Sequence, residues 1–178
     1  MPALATGDLL LEPLVAAHAE AMFAVLSDPA LFRFIDGAPP ASVHELRQRY
    51  ARLESRVSPD GRQRWLNWVL RPQGGAPAGF VQATVEPDGQ AWVAYLLGQQ
   101  HQGRGVATRA VEAMLPCVHA AHGAHRFLAQ VEADNTPSLR LLARLRFGLA
   151  SREEHELRGL GLTERLFARD ALSPPASP

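Results

Sequence analysis

Three apolar runs follow one another between residues 64 and 98, and their order limits the fold more strongly than any other feature. The runs are Arg64–Leu70, Ala78–Glu86 and Ala91–Gly98. The short turns between them contain glycine, as hairpins of adjacent strands do, so we expect three antiparallel neighbours in one sheet. A chain with two consecutive antiparallel hairpins in this region does not fit a doubly wound, all-parallel sheet.

A glycine-rich turn then leads from the third run into a long helix and another strand. Apolar residues recur at spacings of three and four up to about Ala121, which predicts an amphipathic helix, with a kink at Pro116. The strand Arg126–Ala133 follows. A strand, a crossover helix and a strand form a right-handed unit, so Ala91–Gly98 and Arg126–Ala133 are predicted to be parallel.

The remaining segments complete a domain of the α/β (α+β) class with a mixed, mostly antiparallel sheet. The predicted element order is β-α-α-β-β-β-α-β-α-β-β. Before the three runs, the sequence predicts a strand at Leu9–Leu14, a helix at Ala16–Leu26 and a second helix that begins at the N-cap Ser42. After Ala133, it predicts a helix at Pro137–Arg146 and a closing hairpin of Gly148–Leu157 with Leu162–Arg169. We expect one domain over residues 1–170 and a disordered tail over 171–178.

Composition excludes several classes of function. The chain has 178 residues and no net charge, and its 18 basic residues are all arginine, so it has no Schiff-base or P-loop lysine. Mixed charges argue against a nucleic-acid partner. Its single cysteine, Cys117, forms no intrachain disulfide, and no metal is expected. Glu12 and Pro13 interrupt the apolar N-terminus, so we expect no signal peptide, no membrane contact and a cytoplasmic location.

The turn Gly103-Arg104-Gly105 has the features of an anion site. Glycine lets the backbone approach a ligand closely, and the helix that follows begins with unpaired N–H groups and a partial positive charge. Together these favour a phosphate or pyrophosphate, with Arg104 and Thr108 as further donors. Two alternatives are a purely structural turn and a dinucleotide fingerprint, but Thr108 stands where the fingerprint needs its third glycine.

Three segments resemble one enzyme family. Gln102–Ala107 matches the Gln/Arg-x-x-Gly-x-Gly/Ala signature of the GNAT superfamily of acetyltransferases. Residues 132–147 are similar to the Asn-x-x-Ser … Leu-Gly-Phe segment of its ribosomal-protein N-terminal acetyltransferase branch, with Arg146 in place of glycine. Val93–Leu97 resembles that branch's Ile-Gly-Tyr-Trp-Leu strand, with Ala94 and Leu96 as departures. The predicted element order is also that of the family.

The resemblance implies that acetyl-CoA is the co-substrate and that an acceptor amine attacks its thioester directly. The two parallel strands would splay apart around the pantetheine arm, and the N–H of Leu96 or Leu97 would stabilise the oxyanion. Ser138 would protonate the leaving thiolate. The implied cofactor-binding residues are Tyr95, Leu96, Leu97, Gln102, Gly103, Arg104, Gly105, Val106, Ala107, Thr108, Asn135 and Ser138.

Two assignments stay open at this point. Ser138 and Asn135 could instead cap or begin the helix that they precede. The general base is not identified by the central strand, because no carboxylate lies on Ala91–Gly98. Glu153, Glu154 and Glu156 are candidates on the closing hairpin, where strand alternation puts Glu154 and Glu156 on one face, and Glu156 is preferred.

The acceptor is interpreted from proton energetics. A site without a strong base suits an α-amine better than a lysine side chain, so we expect the N-terminus of a protein or peptide. Alternatives are a small-molecule amine, such as an antibiotic or polyamine, and a CoA-binding module without turnover. Either a monomer or a homodimer is compatible with the sequence. Residues that could line the acceptor side are Phe32, Phe34, Asp36, Trp65 and Trp68.

Overall fold

A computed structural model describes residues 1–35 and 37–171, which form a mixed sheet with helices on both faces. The strands are β1 (Leu4–Thr6), β2 (Leu9–Pro13), β3 (Arg64–Pro72), β4 (Gly79–Val85), β5 (Gln90–Leu97), β6 (Arg126–Glu132), β7 (Gly148–Leu149) and β8 (Glu164–Asp170). The helices are α1 (Ala19–Leu26), α2 (Val43–Glu54), α3 (Val106–His122), α4 (Thr136–Arg144) and α5 (Arg152–Leu157). Short 3-10 turns lie at Ala16–His18, Pro29–Phe32 and Gln99–His101.

The sheet has the order β1-β2-β3-β4-β5-β6-β8-β7, and among the described strands β5 and β6 alone are parallel. Their pairing is short: it begins at Gln90 and Arg126 and ends at Trp92 and Leu128. Both strands continue beyond that point, to Leu97 and Glu132. The predicted mixed sheet that splays between its two parallel strands is therefore confirmed.

Each face of the sheet carries its own apolar core. α3 and α4 cover the larger one, which includes Trp68, Val93 and Phe127. α1 and α2 cover the smaller one, which includes Val69 and Leu96. Neighbouring residues of a strand point to opposite faces, so β3 and β5 contribute to both cores. β5 is consequently packed against helices on both faces, whereas β6 contributes to the larger core.

The sequence predicts most helix starts correctly. Ser42 Oγ accepts the N–H of Glu45 over 3.1 Å and begins α2, as the N-cap pattern predicts. α3 begins on the left-handed Gly105 and continues as one helix across Pro116. No helix in the described part of the chain is long and apolar enough to cross a bilayer.

The prediction of a closing hairpin is only partly correct. Its first strand ends at Leu149, and residues 152–157 form α5 instead. Ser151 Oγ accepts the N–H of Glu154, and the Glu154 carboxylate accepts the N–H of Ser151, so a capping box turns this segment into a helix. β1 is a further strand that the sequence did not predict. Ala171 belongs to the fold, since its N–H binds His125 O, and residues 172–178 lie outside the described residues.

Candidate active site

A cleft of about 540 Å³ opens where β5 and β6 separate. Its lining comes from the end of β5, the turn before α3, the start of α4 and the 3-10 segment after α1. The predicted cofactor residues that line it are Tyr95, Leu96, Leu97, Gln102, Gly103, Gly105, Val106, Ala107, Thr108, Asn135 and Ser138. Arg104 is exposed and is not part of this lining.

The turn into α3 presents a row of free backbone donors. The N–H groups of residues 103–108 find no acceptor among the residues that the structure describes, and the first bonded amide is that of Arg109, which donates to Gly105 O. No side chain of the described residues caps α3, and no acidic residue occupies its first turn. Free N–H groups at the positive end of a 17-residue helix form an anion site.

Two glycines give this turn its shape. Gly103 and Gly105 have φ angles of 72° and 73°, in the left-handed region that disfavours other residues. A Cβ atom added at either position would meet no protein atom within 4 Å. The glycines are therefore required by the backbone conformation, and the space beside them is open to a ligand.

The β4–β5 register decides which amides of β5 face the cleft. Glu86 N–H binds Gln90 O at one end of this pair, and Gly98 N–H binds Ala78 O at the other. Alternate residues of an antiparallel strand share the same hydrogen-bonding direction, so the even-numbered residues of β5 face β4. Leu96 N–H consequently belongs to the β4 ladder, which argues against Leu96 as the oxyanion donor. The amides of Tyr95 and Leu97 face the gap instead.

The start of α4 shows which of Asn135 and Ser138 caps the helix and which is free to contact a ligand. Asn135 Oδ1 accepts the Ser138 N–H over 3.2 Å and caps the helix. The Ser138 hydroxyl makes no hydrogen bond within the described residues and lines the cleft. Capping is therefore the task of Asn135, and the Ser138 hydroxyl is available to a ligand.

Tyr95 also lines the cleft, but its hydroxyl is buried. Burial raises the pKa of Tyr95, and the nearby Ser138 side chain partly offsets this by lowering it. Tyr95 Oη has no hydrogen-bond partner in the described part of the chain, so Ser138 is a close neighbour of this hydroxyl and not bonded to it.

Two arginines of the lining were missed by the sequence analysis. Arg140 and Arg144 lie one helical turn apart on α4 and both line the cleft. Within the described residues no carboxylate lies within 4.0 Å of either guanidinium. Their i, i+4 spacing directly after Ser138 was the available signal. They give this wall of the cleft a positive charge.

The structure places only some of the residues predicted for the acceptor side at the cleft. Phe34 lines the cleft together with Ala30, Leu31 and Ile35, whereas Phe32 does not. Trp68 is fully buried and donates to Pro2 O, and Trp65 lies at a separate surface groove. Asp36 lies outside the described residues. The described part of this segment is thus apolar where it meets the cleft.

The argument for Glu156 as the base is wrong, because it assumed a strand. Residues 152–157 are helical, so alternation does not apply. Glu156 pairs with Arg152 over 2.7 Å, has a 61% exposed side chain and does not line the cleft. Glu154 pairs with Arg126 and caps α5, and Glu153 also lies away from the cleft. Among the described lining residues there is no aspartate or glutamate, and His101, which the sequence analysis did not single out, lines the cleft.

The acetyltransferase (GNAT) domain family matches residues 8–148. The chain belongs to this family. An uncharacterised N-acetyltransferase, p20, from Bacillus licheniformis is 27% identical over 149 residues, which are 83% of each chain. The mixed sheet of this GNAT domain is the one that its sequence predicted.

Solved structures show the same fold. A RimL ribosomal L7/L12 alpha-N-protein acetyltransferase in complex with coenzyme A has a TM-score of 0.78, at 22% identity over 95% of this chain and 98% of that one. The microcin C7 self-immunity acetyltransferase MccE, in complex with acetyl-CoA and AMP, has a TM-score of 0.77, at 16% identity over 93% and 94%. A ribosomal-protein-S5-alanine acetyltransferase from Vibrio fischeri has a TM-score of 0.76, at 17% identity over 98% and 100%.

Proposed function

We propose that the chain binds acetyl-CoA in the β5–β6 cleft and transfers its acetyl group to the α-amine of a protein or peptide N-terminus. The observation that carries this proposal is the cleft itself, which leads from the splayed strands to the free N–H groups of residues 103–108. Those donors suit the pyrophosphate of the co-substrate. The strand gap suits an extended amide chain, because β5 has unpaired backbone groups there.

The acceptor follows from the charge of the lining. No described lining residue is a carboxylate, so the cleft offers neither a strong base nor attraction for a polycation. Deprotonating a lysine side chain at pH 7 costs about 4.6 kcal/mol, whereas an α-amine costs about 1.1 kcal/mol. An α-amine can therefore supply its own neutral form. The solved N-terminal acetyltransferases of similar fold support the same acceptor class.

A peptide panel tests the proposal. Peptides with a free N-terminus, the same peptides with a blocked N-terminus and an internal lysine, polyamines and aminoglycosides are each incubated with acetyl-CoA. Release of free thiol gives the rate, and mass spectrometry locates the acetyl group. We expect acetylation of the α-amine alone, with a rate that rises between about pH 6 and 8 as the neutral amine accumulates.

Other results would identify a different function. Acetyl groups on lysine side chains, or on small amines alone, would contradict the N-terminal acceptor and keep the acetyltransferase reaction. Tight binding of acetyl-CoA without turnover on any acceptor would indicate a CoA-binding module. Weak binding of acetyl-CoA would contradict the assignment of the cleft.

A further inference from the structure

Tyr95 has a hydroxyl group that the fold buries without pairing. Its Oη is inaccessible to solvent and has no hydrogen-bond partner among residues 1–35 and 37–171. An unpaired buried hydroxyl costs about 1–3 kcal/mol, and phenylalanine would fill the same space without that cost. Packing against the larger core therefore explains the ring of Tyr95 but not its hydroxyl.

The topology brings Ser138 to this hydroxyl. β6 separates from β5 after Leu128, and α4 begins directly beyond the end of β6. Ser138 stands in the first turn of α4, and its side chain and that of Tyr95 line the same cleft. The Ser138 N–H is already bonded to Asn135, which fixes the backbone and leaves the hydroxyl free to rotate.

We propose that the Tyr95 hydroxyl positions Ser138, by donating a hydrogen bond to Ser138 Oγ and so directing the Ser138 O–H towards the reacting thioester. A serine hydroxyl has one hydrogen, which points either at a neighbour or at the substrate. When Oγ accepts from Tyr95, that hydrogen remains available to the sulfur. The inference rests on the proposed acetyl transfer, for which Ser138 is the candidate acid.

Every bond and proton in the proposed acetyl transfer is accounted for. The acceptor nitrogen bonds to the carbonyl carbon, the carbon–sulfur bond breaks, and its electron pair stays on sulfur. Sulfur takes the proton of Ser138, and the proton released by the attacking amine replaces it. Tyr95 keeps its own proton throughout. Burial raises the pKa of Tyr95, so the phenol remains a neutral donor over the pH range in which the amine reacts.

Tyr95→Phe removes the hydroxyl alone and tests the proposal. We expect kcat to fall about tenfold at every pH from 6 to 8, with KM for acetyl-CoA within about twofold of wild type. The melting temperature should be unchanged or slightly raised, because the variant removes an unpaired buried group.

Tyr50→Phe is the matched control. Tyr50 Oη is also buried without a partner in the described chain, but Tyr50 lies in the smaller core with α1 and α2, away from the cleft. Both variants remove one unpaired phenol hydroxyl from an apolar core. Tyr50→Phe should therefore leave kcat and KM unchanged, and a loss of kcat in both variants would indicate a general effect on packing.

A double-variant cycle distinguishes positioning from direct binding. If Tyr95 acts through Ser138, Tyr95→Phe should have no further effect on kcat in a Ser138→Ala background. Equal kcat for wild type and Tyr95→Phe would overturn the inference, as would an equal rise of KM in both backgrounds, since the hydroxyl would then bind the co-substrate itself. A wild-type protein that binds acetyl-CoA but transfers nothing would instead contradict the proposed function, and the inference with it.

Discussion

Gln102 Nε2 donates a hydrogen bond to the carbonyl oxygen of Leu97 over 3.0 Å. This bond joins the turn before α3 to the end of β5, beyond the point at which β5 has lost its pairing with β6. The first residue of the matched glycine motif thus holds the free N–H groups in a fixed position relative to the cleft.

Gln102→Ala should weaken the binding of acetyl-CoA about fivefold and leave kcat nearly unchanged. One hydrogen bond contributes about 1 kcal/mol, and its loss loosens the turn without removing a donor to the ligand. Calorimetry gives the dissociation constant. Gln99→Ala is the control, because Gln99 is exposed and makes no side-chain bond in the described structure. Equal weakening by both variants would contradict the role of the Leu97 contact.

Gly105→Ala should reduce the affinity for acetyl-CoA at least tenfold. The new methyl group meets no protein atom, so it enters the space beside the free N–H groups, where each donor to a charged phosphate contributes about 1.5–3 kcal/mol. Gly61→Ala is a control for backbone strain, since Gly61 has a φ of 75°, also meets nothing within 4 Å and lies outside the cleft.

The two glycine variants should lower the melting temperature by similar amounts, because both force alanine into the left-handed region. Calorimetry and thermal unfolding are measured on the same samples. If Gly61→Ala also lost affinity, the effect of Gly105→Ala would be one of stability, and residues 103–108 would not be the anion site.

Asn135→Ala and Ser138→Ala should affect different properties. Asn135→Ala removes the cap of α4 and should cost about 1 kcal/mol of folding free energy, or about 2–4 °C in melting temperature. Ser138→Ala should leave the melting temperature unchanged and lower kcat by about tenfold to a hundredfold. Thermal unfolding and steady-state kinetics decide between them. A loss of stability in Ser138→Ala with normal kcat would make Ser138 a structural residue.

The sequence predicted the order of elements well where the pattern of apolar residues was long. β3, β4, β5 and α3 have clear periods, and their order predicted that β5 and β6 are parallel. The splay between these two strands was implied by the family resemblance and not by the pattern. The strand predicted through residue 157 is wrong, because a capping box begins a helix at residue 152. The capping-box pattern of Ser151 and Glu154 was visible in the sequence and predicts a helix start.

The sequence predicted the backbone features of the site better than the positions of its side chains. Gly103 and Gly105 identified the turn, since only glycine suits that backbone. The role of Leu96 depended on register, which a single strand does not define. Which carboxylates face the cleft depends on how α5 packs, and this packing places Glu156 outside the lining.

Arg146→Gly should stabilise the protein by about 0.5–1 kcal/mol. Arg146 has a φ of 59° and follows α4, where Phe147 N–H binds Leu142 O in a left-handed helix cap. The related pattern has glycine at this position, and glycine adopts that conformation without strain. Thermal unfolding should show a rise of about 1–4 °C. Arg47→Gly, in the middle of α2, should instead destabilise by about 1 kcal/mol. A fall in both variants would contradict strain at Arg146.

Replacing Arg140 and Arg144 together by alanine should weaken acetyl-CoA binding about tenfold and reduce its dependence on salt. The two guanidinium groups line the cleft one helical turn apart without a carboxylate partner in the described structure, so an anionic ligand is their available counter-charge. Exposed ion pairs contribute about 0.2–1 kcal/mol each, which limits the effect of either single variant to a few-fold.

The salt dependence separates this ionic effect from a change in shape. Calorimetry at 50 mM and 500 mM salt should show a smaller loss of affinity with salt in the double variant than in wild type, because screening acts on charges that the variant lacks. Arg47→Ala with Arg49→Ala removes the same charge from α2, outside the cleft, and should change neither value. The same salt dependence in wild type and the Arg140/Arg144 variant would mean that α4 contributes no charge to binding.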